Sequence, residues 1–301
     1  MKLAMVGLGK MGGNMVRRLC QGGHEVVGYD RDASIVEEIS ASHGMIAASS
    51  VEDAVSKLES PKVVWLMLPA GEITEQQLQA LIPMLSKGDV IVDGGNSNFH
   101  DSERHGKMLA EHGIGFMDAG TSGGIWGLKN GYCLMVGADD WVADIMKPAL
   151  QALAPADDRG WAHVGPVGAG HFTKMVHNGI EYGMMQAYAE GLAILKGRES
   201  YNLDMAEITE LWRHSSVVQS WLLDLTADAL SKGPDLNKVS DVVTDSGEGR
   251  WTAIEAIEQG VAAPVITTAL QMRFASQDKE GYANRLLSLM RNAFGGHDMA
   301  S

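Results

Sequence analysis

The 301-residue sequence is short of cysteine, of aromatic residues and of positive charge. Its two cysteines, Cys20 and Cys133, stand in separate segments. No disulfide framework or CxxC site is present, so a reducing, cytoplasmic compartment is expected. No apolar run reaches the ~18 residues that a membrane span requires. The first residues, MKLAMVGLGKMGG, are apolar but enter a glycine-rich turn without a signal-peptide cleavage pattern. Lys and Arg number 24 against 38 Asp and Glu, a formal charge of −14. That balance argues against a general nucleic-acid binder and against adsorption to anionic membranes. It is compatible with an anionic small molecule held by a local cluster of Arg, Lys, His and backbone N–H groups. What the chain has in excess is glycine, 36 residues, against a usual share of about 7%.

The length suits two domains. Up to about Pro155, short apolar runs alternate with helical spacing. Strands are expected at Lys2–Val6, Glu25–Tyr29, Val63–Leu68, Val90–Asp93 and Gly115–Asp118, with a further one at Tyr132–Val136. This alternation implies a parallel sheet covered on both faces. Beyond about Gly165 strand signal fades, and 167–197, 204–230 and 251–260 read as helices. The expected architecture is an α/β Rossmann-type, doubly wound parallel-sheet domain over 1–160. An all-helical domain follows over 161–301, for substrate binding and dimerisation.

The first strand runs into Gly7-Leu8-Gly9-Lys10-Met11-Gly12, a G-x-G-x-x-G. Gly7 permits the tight turn, Gly9 lets backbone approach a pyrophosphate, and Gly12 allows close helix packing at an N-terminus rich in N–H donors. A second strand ends at Asp30, 18 residues past Gly12, placed to accept hydrogen bonds from an adenosine ribose. Asp30 would repel a 2′-phosphate, whereas Arg31 beside it could pair with one or stack on adenine. NAD is therefore the expected cofactor, with NADP use possible; a solvated Arg31 is the alternative.

The segment Gly165–Tyr182 is the most informative. Lys174, His177, Asn178, Glu181 and Tyr182 fall at i, i+3, i+4, i+7 and i+8, on one helix face. A solvated face is one explanation of this polar stripe. Against it, Gly168, Gly170, Gly179 and Gly183 crowd the same helix, where interior glycines cost about 1 kcal/mol each relative to Ala. Such clustering implies close approach of another surface or of a ligand. Asp93-Gly-Gly-Asn96-Ser97 and Thr121-Ser122-Gly123-Gly124 each follow a strand, at the sheet edge where doubly wound folds bind ligands.

GLGKMGGNM, DGGNS, DAGTSGG, GAGHFTKMVHNGIEYG and the tail Arg291-Asn-Ala-Phe-Gly-Gly-His297 together resemble the decarboxylating 6-phosphogluconate dehydrogenases of the β-hydroxyacid dehydrogenase superfamily. The resemblance runs through nearly the whole chain. It implies Lys174 as general base at the C3 hydroxyl, which requires a neutral amine favoured by burial or nearby cations. It implies Glu181 as the acid that protonates the enediol, and Asn178 and His177 as positioning groups. No metal is required. Ser122, Gly123 and Gly124 hold the substrate carboxylate, Asn96 lies near nicotinamide and substrate, and Leu68-Pro69 lies beside the cofactor ribose. Tyr182, Arg273, Arg291 and His297 take the phosphate. In the family the tail Arg and His come from a neighbouring subunit, which implies a homodimer or tetramer with shared sites. The family's longer form duplicates the helical region; this chain has room for one copy.

One segment departs from the pattern. Ser246-Gly-Glu248-Gly-Arg250-Trp251 stands where the family often has K-G-T-G-K-W, so the Lys and Thr that contact phosphate are replaced by Ser246 and Glu248. An acid facing the phosphate would repel it. This keeps a second reading open: another β-hydroxyacid dehydrogenase or reductase acting on a smaller or unphosphorylated acid. A non-catalytic dinucleotide sensor is a third, opposed by the intact Lys174–Glu181 pair.

Overall fold

The computed structural model describes residues 1–295. In chain order the elements are β1 (Lys2–Val6), α1 (Lys10–Gln21), β2 (Glu25–Tyr29), α2 (Ala33–His43), β3 (Ile46–Ala47), α3 (Val51–Ser56), β4 (Val63–Leu66), α4 (Glu72–Leu81), β5 (Val90–Asp93), α5 (Phe99–Ala110) and β6 (Gly115–Ser122). Then come α6 (Gly127–Asn130), β7 (Cys133–Ala138), α7 (Asp140–Leu153), β8 (Trp161–Gly165), α8 (Ala169–Gly197), α9 (Met205–Trp212), α10 (Trp221–Leu230), α11 (Glu248–Glu258), α12 (Pro264–Gln277) and α13 (Tyr282–Gly295).

One sheet takes all the strands in the order β3-β2-β1-β4-β5-β6-β7-β8. β1 to β6 run parallel, as the strand–helix alternation requires. β7 reverses direction, pairing antiparallel with β6, and β8 runs parallel to β7. The central strands β4 and β5 are buried at every position, matching the Val/Ile/Leu/Trp run of β4 and the Val-Ile-Val of β5 ahead of its buried Asp93. Apolar clusters fill both faces. One, around Met5, Leu19, Trp65 and Leu150, packs α1 and α7; the other, around Leu66, Leu78, Leu81 and Phe116, packs α4 and α5.

Three expectations need correction. The segment 204–230 is two helices, because Ser215 adopts a positive φ of 63° and Ser220 starts a new helix by accepting the Leu223 N–H on its side chain. The fifth strand extends past Asp118 to Ser122, so Thr121 and Ser122 are its last residues and do not follow it. Its neighbour β7 is antiparallel, so the sheet is not wholly parallel.

By its contacts the chain divides into two units, Met1–His177 and a second beginning at Asn178. The dividing line falls inside α8, an unbroken helix of 29 residues. The second unit is helical and carries a small buried cluster of Tyr182, Ala253, Ala269 and Leu270.

Candidate active site

The glycine fingerprint is explained by its surroundings. Gly7 has φ +94°, and a Cβ there would strike the Met67 carbonyl oxygen. A Cβ on Gly12 would strike the Gly7 carbonyl oxygen. A Cβ on Gly9 would meet no protein atom within 4 Å, so protein packing does not dictate glycine at this exposed position, and the space is open to a ligand that approaches the backbone. Lys10 and Met11 open α1, supplying first-turn N–H groups. Leu8 N–H donates to Asp30 Oδ2 at 2.6 Å and Asp32 N–H to Oδ1 at 2.9 Å. The Asp30 carboxylate is thereby fixed at the end of β2 with lone pairs remaining for a ribose diol. Arg31 is exposed next to it.

The loops after β4 and β5 close on the same edge. Leu68 is half-buried and Pro69 exposed, with the Pro69 carbonyl accepting Thr74 Oγ1–H at 2.9 Å. A Cβ on Gly95 would lie 2.7 Å from the Leu68 carbonyl oxygen. Asp93, fully buried, shapes the next loop by accepting Gly95 N–H at 2.9 Å and Ser97 Oγ–H at 2.7 Å. Asn96 stands exposed at its tip. Gly7–Gly12, Asp30, Leu68, Pro69 and Asn96 are thus brought to one end of the sheet, and together they fit a bound NAD(P).

At the end of β6, Ser122 is half-buried, and Gly123 and Gly124 take positive φ values of 126° and 51°. The buried Tyr132 ring lies beneath this turn, where a Cβ on Gly127 would collide with it. Lys174 is buried, and a Cβ on Gly120 would sit 2.5 Å from its Cβ. The base candidate is therefore seated on β6 two residues before Ser122.

Asp118 opens the DAGTSGG segment and His171 lies in GAGHFTKMVHNGIEYG, and neither residue's type or spacing discloses its role. Asp118 accepts the N–H groups of Gly168 and His171, each at 2.7 Å. Burial pushes its carboxyl pKa up, against the pull of His171 and these hydrogen bonds. The sequence holds one clue to such an acceptor: a helix preceded by glycine has no side chain to cap it.

Along α8, His177, Asn178 and Glu181 are half-buried and Tyr182 is buried, so the polar stripe is not a solvated face. The interior glycines admit protein. A Cβ on Gly170 would lie 2.6 Å from the Met135 carbonyl oxygen, one on Gly179 2.7 Å from Thr252 Cγ2, and one on Gly183 3.2 Å from Val265 Cγ1.

Within the second unit, the Arg273 guanidinium lies 3.5 Å from the centre of the Tyr182 ring and donates to the Thr244 carbonyl at 2.7 Å. Ser246 N–H donates to Tyr182 Oη at 3.0 Å, and the Ser246 hydroxyl lies 3.3 Å from the same oxygen. Tyr182, Arg273 and the departing Ser246 thus form one cluster. Glu248 is buried in the first turn of α11, a position that favours an acid. Arg291 is exposed on α13, and His297 lies outside the described residues.

A fingerprint on a doubly wound sheet, with a buried lysine beside the neighbouring strand end, defines a nicotinamide-dinucleotide-dependent oxidoreductase. The comparisons narrow the class. The profile of the NAD binding domain of 6-phosphogluconate dehydrogenase matches residues 2–165, and that of its C-terminal domain matches 170–298. The chain belongs to the 6-phosphogluconate dehydrogenase family. A Haloferax volcanii relative, named as the NAD(+)-dependent, decarboxylating enzyme, is 42% identical over 100% of this chain and 99% of its own. A Haemophilus influenzae relative, named as the decarboxylating enzyme, is 39% identical over 94% of this chain but 62% of its own. The solved Plasmodium falciparum 6-phosphogluconate dehydrogenase, described apo and in complex with NADP+ and with 6-phosphogluconate, superposes with a TM-score of 0.85 at 28% identity. That match covers 100% of this chain and 66% of that one.

Proposed function

We propose that this chain catalyses the oxidative decarboxylation of 6-phosphogluconate to ribulose 5-phosphate and CO2, with NAD preferred over NADP. The observation that carries the reading is the buried Lys174, seated against Gly120 two residues before Ser122, on the helix face that continues into His177, Asn178, Glu181 and Tyr182.

Bound NAD(P) supplies the hydride acceptor. Lys174 takes the proton of the C3 hydroxyl as hydride leaves C3, yielding a 3-keto acid. Protonated Lys174 then polarises the new carbonyl while the C1–C2 bond breaks, its electrons forming the enediol as CO2 departs; this needs no metal ion. Glu181 protonates the carbon that lost CO2. Asn178 and His177 orient the C3 hydroxyl and the carboxylate, and the Ser122–Gly124 turn offers hydroxyl and N–H donors to that carboxylate. Tyr182, Arg273 and Ser246 take the phosphate, with Arg291 and His297 from a neighbouring copy.

Membership of the 6-phosphogluconate dehydrogenase family favours the phosphorylated substrate over the smaller-acid reading, and Glu248 is buried in the first turn of α11. NAD preference rests on Asp30, whose fixed carboxylate repels a 2′-phosphate. The deciding experiment is a steady-state assay with 6-phosphogluconate, gluconate and 3-hydroxyisobutyrate, each with NAD and NADP, following CO2 release. The expected result is CO2 from 6-phosphogluconate alone and a higher kcat/KM with NAD. Turnover of an unphosphorylated acid in preference overturns the substrate, and a tenfold advantage for NADP overturns the cofactor. Lys174→Met is expected to abolish turnover while NADH still binds.

A further inference from the structure

The helix that carries Lys174 lacks a cap of its own. Gly168 is its N-cap residue: the Gly168 carbonyl accepts the first intrahelical bond, from Phe172 N–H at 2.9 Å, and its φ is +97°. A helix start leaves its first N–H groups without intrahelical partners, and a Ser, Thr, Asp or Asn at the cap would normally accept one of them. Glycine offers no acceptor. Here the acceptor arrives from the sheet. Asp118, fully buried on β6, accepts the Gly168 N–H on Oδ1 and the His171 N–H on Oδ2, both at 2.7 Å. One carboxylate thus satisfies the cap and third-position donors together.

The seat is set by backbone contact. Asp118, Gly120 and Ser122 alternate on β6 and so face one side of the sheet. Asp118 holds the first turn of α8. Gly120 admits the next turn, since a Cβ there would lie 2.8 Å from the Gly170 carbonyl oxygen and 2.5 Å from Lys174 Cβ. Gly137, the β7 partner of Asp118, leaves room for Gly170, whose N lies 2.8 Å from where a Gly137 Cβ would stand. A second anchor pins the same turn from another side. His171 Nδ1 lies 2.7 Å from Ser102 Oγ on α5, with both residues buried. Lys174 follows His171 by three residues, so a slide or rotation of that turn moves its amine directly.

We propose that Asp118 is a positioning residue for Lys174, capping the helix from the sheet and fixing the amine relative to Ser122, with the Ser102–His171 contact as a second anchor. The proposal rests on the reading of Lys174 as general base.

The test is a set of three variants assayed well below their melting temperatures for kcat, for KM of both substrates and for NADH affinity by fluorescence. Asp118→Asn keeps the shape but leaves one acceptor for two N–H donors. It is expected to lower kcat by about 10–100-fold, as displacement of a reacting group by about 1 Å does, with both KM values and NADH affinity essentially unchanged. Ser102→Ala is the milder variant and decides the matter if Asp118→Asn does not fold; a smaller fall of kcat, again without a change in KM, is expected. A cap serving stability alone lowers the melting temperature of these variants and leaves kcat at the wild-type value, and that result overturns the proposal. Lys174→Met tests the underlying reading separately: retained turnover there removes Lys174 as the base, whatever the other two variants do.

Discussion

Gly9 and Gly12 belong to the same fingerprint, yet they answer to different neighbours. A methyl group on Gly12 collides with the Gly7 carbonyl oxygen, whereas one on Gly9 meets no protein atom. Gly12→Ala is therefore expected to cost about 1–3 kcal/mol of stability through overpacking and to weaken NAD binding as the turn shifts. Gly9→Ala is expected to leave the melting temperature unchanged and raise the KM for NAD. Thermal melts alongside cofactor titrations separate the two; a Gly9→Ala protein with wild-type NAD kinetics would remove the pyrophosphate from that spot. Tyr132 makes a contrasting case. Its ring fills the space under Gly127, but its hydroxyl is buried without a hydrogen-bond partner among the described residues. Burial pushes its pKa up to about 12, with Arg18 pulling the other way. Removing an unsatisfied hydroxyl relieves a desolvation cost of about 1–3 kcal/mol. Tyr132→Phe is expected to melt at or above the wild-type temperature, and a marked drop would reveal a partner for that oxygen.

Between elements, one carboxylate ties α4 to α5 beside their shared apolar cluster. Glu75 Oε2 lies 2.7 Å from His105 Nε2 and 2.6 Å from Arg104 Nη1. Burial lifts the Glu75 pKa, but the hydrogen bonds and charges of His105 and Arg104 together hold it below the ordinary value of 4.5. A carboxyl whose folded pKa lies below its unfolded one stabilises the fold above the unfolded value and loses that contribution as pH falls through the folded one. Glu75→Gln is expected to cost about 1–2 kcal/mol at neutral pH. Its deficit relative to wild type should shrink as melts are taken below pH 4.5; a deficit independent of pH would show that the charge contributes nothing. Legibility in the sequence follows the same scale. β1, β2 and β5 end where their apolar runs end, and α8 follows its spacing, because burial on both sides leaves continuous or periodic signals. β8 leaves no such signal because none of its residues is fully buried, and β3 leaves none because it spans two residues. The join between α9 and α10 is hidden in the sequence because the apolar spacing continues across a turn set by Ser215 and Ser220. The cluster of Tyr182 with Arg273 was expected only through resemblance, and Asp118 reaches α8 across 50 residues, a distance no local pattern records.

At the scale of the molecule, the two units differ in how well they bury apolar surface. The first has two extensive cores, whereas the second, among the described residues, has a buried apolar cluster of four residues with Leu223 and Ala227 buried apart from it, and leaves Leu211, Val217, Ile257, Val265 and Leu287 exposed. So small a cluster offsets little of the ordering entropy of several helices, and exposed apolar surface on this scale is of the kind that an interface between copies would cover. This supports the reading of a homodimer or larger assembly formed through the helical unit. Its site faces a charge problem, since a sugar acid phosphate of about three negative charges must bind a chain of −14. A dimer eases the problem if the tail of one copy delivers Arg291 and His297 to the Tyr182–Arg273 cluster of the other. Light scattering is expected to give at least twice the monomer mass. Deleting residues 290–301 should raise the KM for 6-phosphogluconate at least tenfold, by the order expected when a charge-paired anion loses a partner, while NAD kinetics hold. Because the lost contact is ionic, the wild-type KM should climb more steeply with salt than that of the truncated protein. An unchanged KM on truncation would assign the whole phosphate end to Tyr182, Arg273 and Ser246 of a single chain.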